Sequence, residues 1–157
     1  MDDFQLQWTI EGATELSRTL IGLESKLKDY RTPFRQSADM LVRQFSKDVF
    51  ATQGAVIGEK WKRLSPYTVA QKARLGFSGG PLVRTGRMQR SFESIVSTDQ
   101  AVVRNTAPYF PYHQSGEPRT RLPRRVMMKL SQSTKAEIVR FFQDYIRSAA
   151  GKASFEP

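Results

Sequence analysis

Seven of the ten glycines and six of the eight prolines in this 157-residue chain fall between Gly54 and Pro123. Both residues interrupt regular structure, so long elements are confined to the two ends and the middle must run as short elements joined by loops. The apolar pattern agrees. Phe4, Leu6, Trp8 and Ile10 alternate with Gln5, Gln7 and Thr9, which predicts a half-buried strand over about 3–10. Leu16, Leu20, Leu23, Leu27 and Tyr30 then recur at helical spacing, predicting a helix over roughly 13–30. Pro33 in a first turn, with Thr32 as its cap, opens a second helix to about residue 52, striped by Ala38, Leu41, Val42, Phe45, Val49 and Phe50.

In the middle, Ser65-Pro66 is a cap followed by a first-position proline, predicting a short helix to about Arg74. The glycine-bearing stretches Gly54–Lys60 and Gly76–Pro81 lack apolar period and are expected to be mobile loops. Thr85 is placed to cap a short helix carrying Met88 and Phe92. Ser94–Ser97 and Ala101–Arg104 flank Asp99-Gln100 as a β-hairpin. Near the end, Thr134 and Glu137 have capping-box spacing before a stripe of Ile138, Phe141, Phe142, Tyr145 and Ala149, and Gly151 is the expected stop, with residues 151–157 fraying. The fold class that follows is α+β, a single domain in which a small antiparallel sheet packs against two long N-terminal helices and a C-terminal helix, with long loops between.

The chemical inventory is sparse. With no cysteine and one histidine, His113, a metal site would need carboxylates, and these are scattered. Ser115 is too close along the chain to serve His113 in a triad, and the Gly76–Pro81 loop lacks the lysine that a phosphate-cradling loop requires. No catalytic, cofactor or metal residues are assigned, and no enzymatic activity is expected. No apolar run is long enough to span a membrane, and the acidic, alternating N-terminus is unlike a signal peptide, so a soluble, unexported protein is expected.

Charge is where the sequence points outward. Residues 1–30 hold 3 basic and 6 acidic side chains, 31–130 hold 18 and 6, and 131–157 hold 4 and 3, so the net +10 belongs to the middle. Its densest run is Arg119, Arg121, Arg124, Arg125 and Lys129, with no acidic residue between Glu117 and Glu137. Like charges at this density repel unless a partner covers them, so these five residues form the expected contact surface. Tyr109, Phe110 and Tyr112 precede the run and have faces on which bases can stack. Nucleic acid and an acidic protein surface both remain open as partners.

The order of short motifs carries a further indication. Trp61-x-x-Leu64-Ser65-x-x-Thr68-x-x-x-Lys72 is followed by Leu82-Val83-x-Thr85-Gly86-x-Met88-x-x-Ser91, then by Tyr109-x-x-x-His113-Gln114-x-Gly116 and Pro123-x-Arg125. Over residues 61–130 this order resembles the phage virion morphogenesis family, the tail-completion proteins of tailed bacteriophages. Phe110-Pro111 and Val126-Met127 depart from the pattern, so the short helix before His113 is expected to be irregular. The resemblance implies a non-enzymatic virion protein without cofactors that joins tail to neck or head. Its partners would be phage tail and neck proteins and further copies of itself in a ring. DNA contact is compatible but not required. Its place would be the virion, and the host cytoplasm during assembly.

Overall fold

The computed structural model describes Gly22, Glu24, residues 27–115 and residues 122–153, with backbone alone at 152 and 153. The strand expected over 3–10 and most of the first helix lie outside the described residues, although Gly22, Glu24 and Leu27 are helical. Helix and strand are mixed, as the patterning predicts.

Helix α1 (Arg31–Arg43) continues without a break through a π-helical turn (Gln44–Asp48) and a last turn (Val49–Ala51). It starts earlier than expected. Tyr30 is the N-cap and Thr32 lies inside the first turn, while the Asp29 carboxylate accepts the Arg31 backbone N–H at 3.0 Å. Pro33 sits where its missing N–H has no helical partner to lose.

The stretch from Gly54 to Lys60, which lacks apolar period, is a tight turn around a 3₁₀ segment (Ala55–Ile57). Gly54 takes φ +84°, a conformation glycine adopts without strain, and the turn is closed by backbone bonds from Gly54 to Val49, Glu59 to Gly54 and Trp61 to Gln53. Helix α2 (Pro66–Arg74) begins as its sequence predicts, the Ser65 hydroxyl accepting the Thr68 N–H at 3.2 Å. Helix α3 (Arg87–Arg90) is only one turn. Gly86, at φ +73°, holds the N-cap position, while the Thr85 hydroxyl accepts the Arg87 N–H at 3.4 Å, and Phe92 falls in the following strand.

Strands β1 (Phe92–Val96) and β2 (Ala101–Asn105) form the antiparallel hairpin, with Ser97, Thr98, Asp99 and Gln100 in the turn. Phe92, Ser94 and Val96 face inward opposite Asn105, Val103 and Ala101, so the period-two alternation survives on both strands. Helix α4 (Phe110–Gln114) is short and includes His113; it is α-helical throughout and not irregular as expected, because Pro111 falls in its first turn, where a proline is tolerated. Helix α5 (Gln132–Ala153) starts behind Ser131, whose hydroxyl accepts the Thr134 N–H, and runs past Gly151 instead of stopping there. Thr134 is not the cap. It is buried and exchanges hydrogen bonds with Gln44 in the π-turn of α1.

Phe45, Val49 and Phe50 of α1 pack on Ile57, Trp61, Met88, Phe92, Ala107, Val126 and Met127. Aromatic edges organise this cluster, with Phe92 meeting both Phe50 and Phe110 nearly perpendicularly. On the other flank of α1, Phe34 stands edge-on to Phe142 at 4.9 Å between ring centres, and the Tyr145 hydroxyl donates to the Asp29 carbonyl at 2.6 Å. Burial of these faces against one another is the dominant favourable term holding α5 to α1.

Candidate functional site

Four separate stretches of chain meet around an open cleft of about 1100 Å³. Its walls are Lys62–Ser65, the exposed side of α2, the chain from Phe77 to Met88, and Tyr109 and His113 facing Leu122, Pro123 and Arg125. The floor is apolar, made by Leu64, Leu82, Val83 and Met88. Among the described residues, six lining side chains are basic and none is acidic.

Lys72 builds one wall. Its ammonium donates to the carbonyls of Gly79 and Gly80 at 3.0 Å each and of Val83 at 2.7 Å. An ammonium has three N–H donors, so this one is saturated by the loop. The glycines at 76 and 79 and Leu82 take positive φ, which turns those carbonyls inward. The Gly76–Pro81 stretch is thus organised around a cation. Beyond it, the Arg84 guanidinium lies 4.6 Å over the Phe77 ring, which fixes a charge at the rim.

Gln114 and Arg125 build the opposite wall. The Gln114 side chain accepts the N–H groups of Met127 and Met128 at 2.8 and 3.1 Å and donates to the Met128 carbonyl at 2.8 Å, pairing an irregular segment as a neighbouring strand would. Arg125 is 5 % exposed, and its Nε and Nη2 both donate to the Lys62 carbonyl, at 3.1 and 3.0 Å. Its backbone N–H donates to the His113 carbonyl. Burial lowers the pKa of Arg125 from its ordinary value, and burial first, then the Arg125 charge, lowers that of His113. The buried Nδ1 of His113 has no hydrogen-bond partner among the described residues.

The motif positions are what this cleft collects. Leu64, Thr68, Lys72, Gly86, Tyr109, His113 and Pro123 all line it, and Trp61 stands behind it in the core, 4 % exposed. Ser91 closes α3, its hydroxyl donating to the Arg87 carbonyl at 2.6 Å. Residues 12–147 match the phage virion morphogenesis family, which is most of the chain. The chain belongs to that family. Comparison with curated proteins and with solved structures gives no match.

In this phage virion morphogenesis protein the expected contact run divides. Arg124 is exposed, its Nε donating to the Gln114 carbonyl at 3.3 Å. Arg125 is buried and is occupied by two bonds to the Lys62 carbonyl, so its role is structural at least in part. Lys129 is half-exposed but already paired with Glu59 at 2.6 Å, a carboxylate brought in from 70 residues away, which holds Glu59 below the usual carboxylate range. Arg119, Arg121 and Gly116 lie outside the described residues.

Sequence reasoning missed a second basic set. Lys62, Arg63, Arg84 and Arg87 are exposed at the cleft, and no carboxylate among the described residues pairs with them. They are dispersed along the chain, so no run of charge announces them, yet each adjoins or interrupts a motif. Among the described residues no three metal-binding side chains cluster, and no helix is long and apolar enough to cross a membrane.

Proposed function

We propose that this protein is a structural, non-enzymatic virion component that completes the tail and joins it to the neck or head as an oligomeric ring adaptor. The observation that supports this most directly is the cleft, where the family's motif positions converge on a basic, apolar-floored surface with no carboxylate among the described residues. Such a surface is built to receive another molecule's acidic groups, and arginines favour forked contacts with carboxylates. The tail and neck proteins and neighbouring copies would be those molecules, in the host cytoplasm during assembly and afterwards in the virion.

The decisive experiment is complementation. Phage lacking the wild-type protein would be supplied with the quadruple variant Lys62→Ser, Arg63→Ser, Arg84→Ser, Arg87→Ser and the particles examined by electron microscopy. Separate heads and tails, with a thermal midpoint close to the parent's, are expected, because exposed charges contribute little to folding. Normal, infectious particles would remove the cleft from the joining role. Phosphate is the competing ligand for the same cations, and a salt series with duplex DNA separates the two. Tight binding at physiological salt with a steep logarithmic slope would favour DNA. Weak, non-saturating binding is expected.

A further inference from the structure

The cleft carries two unmet demands. Lys62, Arg63, Arg84 and Arg87 lack carboxylate partners among the described residues, and apolar side chains stand open beside them, with Leu75 50 % exposed on the lip. Uncompensated charge beside exposed apolar surface marks an interaction site. At about 1100 Å³ the open cleft is large enough to take a length of polypeptide.

An occupant should offer alternate apolar side chains to the floor and carboxylates to the rim, and bring no cation. The chain itself contains such a segment. Residues 2–17 carry Asp2, Asp3, Glu11 and Glu15, no lysine or arginine, and the alternating Phe4, Leu6, Trp8 and Ile10. Asp2 and Asp3 precede the apolar alternation and Glu11 follows it, so the carboxylates fall at both ends. We propose that the cleft of one copy receives the acidic N-terminal segment of a second copy. An acidic end meeting a basic cleft is a head-to-tail contact, which closes into a ring when the rotation per subunit allows. Deepening the adaptor reading in this way, the inference rests on it for the ring.

The test places the photo-crosslinker p-benzoylphenylalanine at position 75 of the full-length chain, in an equimolar mixture of light and 15N-labelled protein. Because the first basic residue is Arg18, trypsin releases residues 1–18 as one peptide. The expected product joins that peptide of one isotope to position 75 of the other. Crosslinks confined to single-isotope pairs, or reaching other surfaces, would overturn the proposal. In parallel, Asp2→Lys, Asp3→Lys and Glu11→Lys together should weaken self-association in sedimentation by at least about tenfold, and adding Arg84→Glu and Arg87→Glu should restore it. Failure of that rescue also counts against it. If crosslinking and rescue succeed while these variants still join heads to tails, the self-contact stands and the adaptor reading falls. If self-association is unchanged while the cleft variant leaves heads and tails apart, the adaptor reading stands and this contact falls.

Discussion

The indole N–H of Trp61 donates to the carbonyl of Val126 at 2.7 Å, joining two segments 65 residues apart. Trp61 also meets Phe50 edge-on at 5.3 Å between ring centres, so one side chain ties α1 to the segment that carries Met127. Trp61→Phe keeps an aromatic ring and removes the donor. Leaving a buried carbonyl unpaired costs about 1–3 kcal/mol, and urea unfolding should show a loss in that range. A loss within error of zero would mean that water replaces the indole.

Gly54 should be the least replaceable glycine in the structure. A Cβ there would stand 2.1 Å from the Glu59 carbonyl oxygen and 2.7 Å from the Trp61 ring, at φ +84°. Gly58 has φ +74° and open space around it. Gly54→Ala is expected to cost about 2 kcal/mol or more, and Gly58→Ala about 1 kcal/mol from backbone strain alone. Equal unfolding midpoints for the two variants would contradict the steric contact.

Replacing Lys72 by Met should release the loop it organises while sparing the core. Amides between 77 and 84 should exchange roughly tenfold faster or more, with the hairpin unchanged. Lys72→Arg should not restore protection, because a planar fork cannot aim three donors at converging carbonyls. Exchange that stays as slow as in the parent would show that the positive-φ glycines hold the loop unaided.

Acid should destabilise the fold in two stages. His113 has its folded pKa depressed below the ordinary 6.5, chiefly by burial, so the unfolded chain takes up that proton first. Its contribution is constant above pH 6.5 and is lost as pH falls towards and through the folded value. Asp29 is held at about 2 instead of 3.8, mainly by the Arg31 side chain, and its contribution is lost as pH falls from 3.8 through about 2. Unfolding midpoints of His113→Gln against pH should lack the first decline and keep the second. An unchanged profile would assign the first decline to other groups.

Elements set by neighbours in sequence were legible. Ser65-Pro66 predicts α2 because cap and first-turn proline act within three residues, and the alternation around Asp99-Gln100 predicts the hairpin to within two residues at each end. What distant parts decide was not legible. Thr134 looks like a cap but is taken by Gln44, 90 positions away, so Ser131 does the capping. Gly54–Lys60 looks loose because its bonds return to Val49 and Gln53 and its one buried side chain, Ile57, has no period to belong to. The basic run looks uncompensated because Glu59 reaches Lys129 only through the fold. The motif positions were recognisable singly, but that seven of them share one cleft is a property of three dimensions.

Gln114 and Arg125 fasten the two ends of the intervening stretch to each other. The Arg125 N–H meets the His113 carbonyl at 2.9 Å, Arg124 reaches the Gln114 carbonyl, and the Gln114 amide holds Met127 and Met128. The chain therefore departs and returns at one point, and lengthening what lies between costs only loop entropy, about 0.6 kcal/mol per doubling. Changes of length between 116 and 121 thus leave Leu122, Pro123 and Arg125 at the cleft, because the bonds that anchor both ends lie outside those residues.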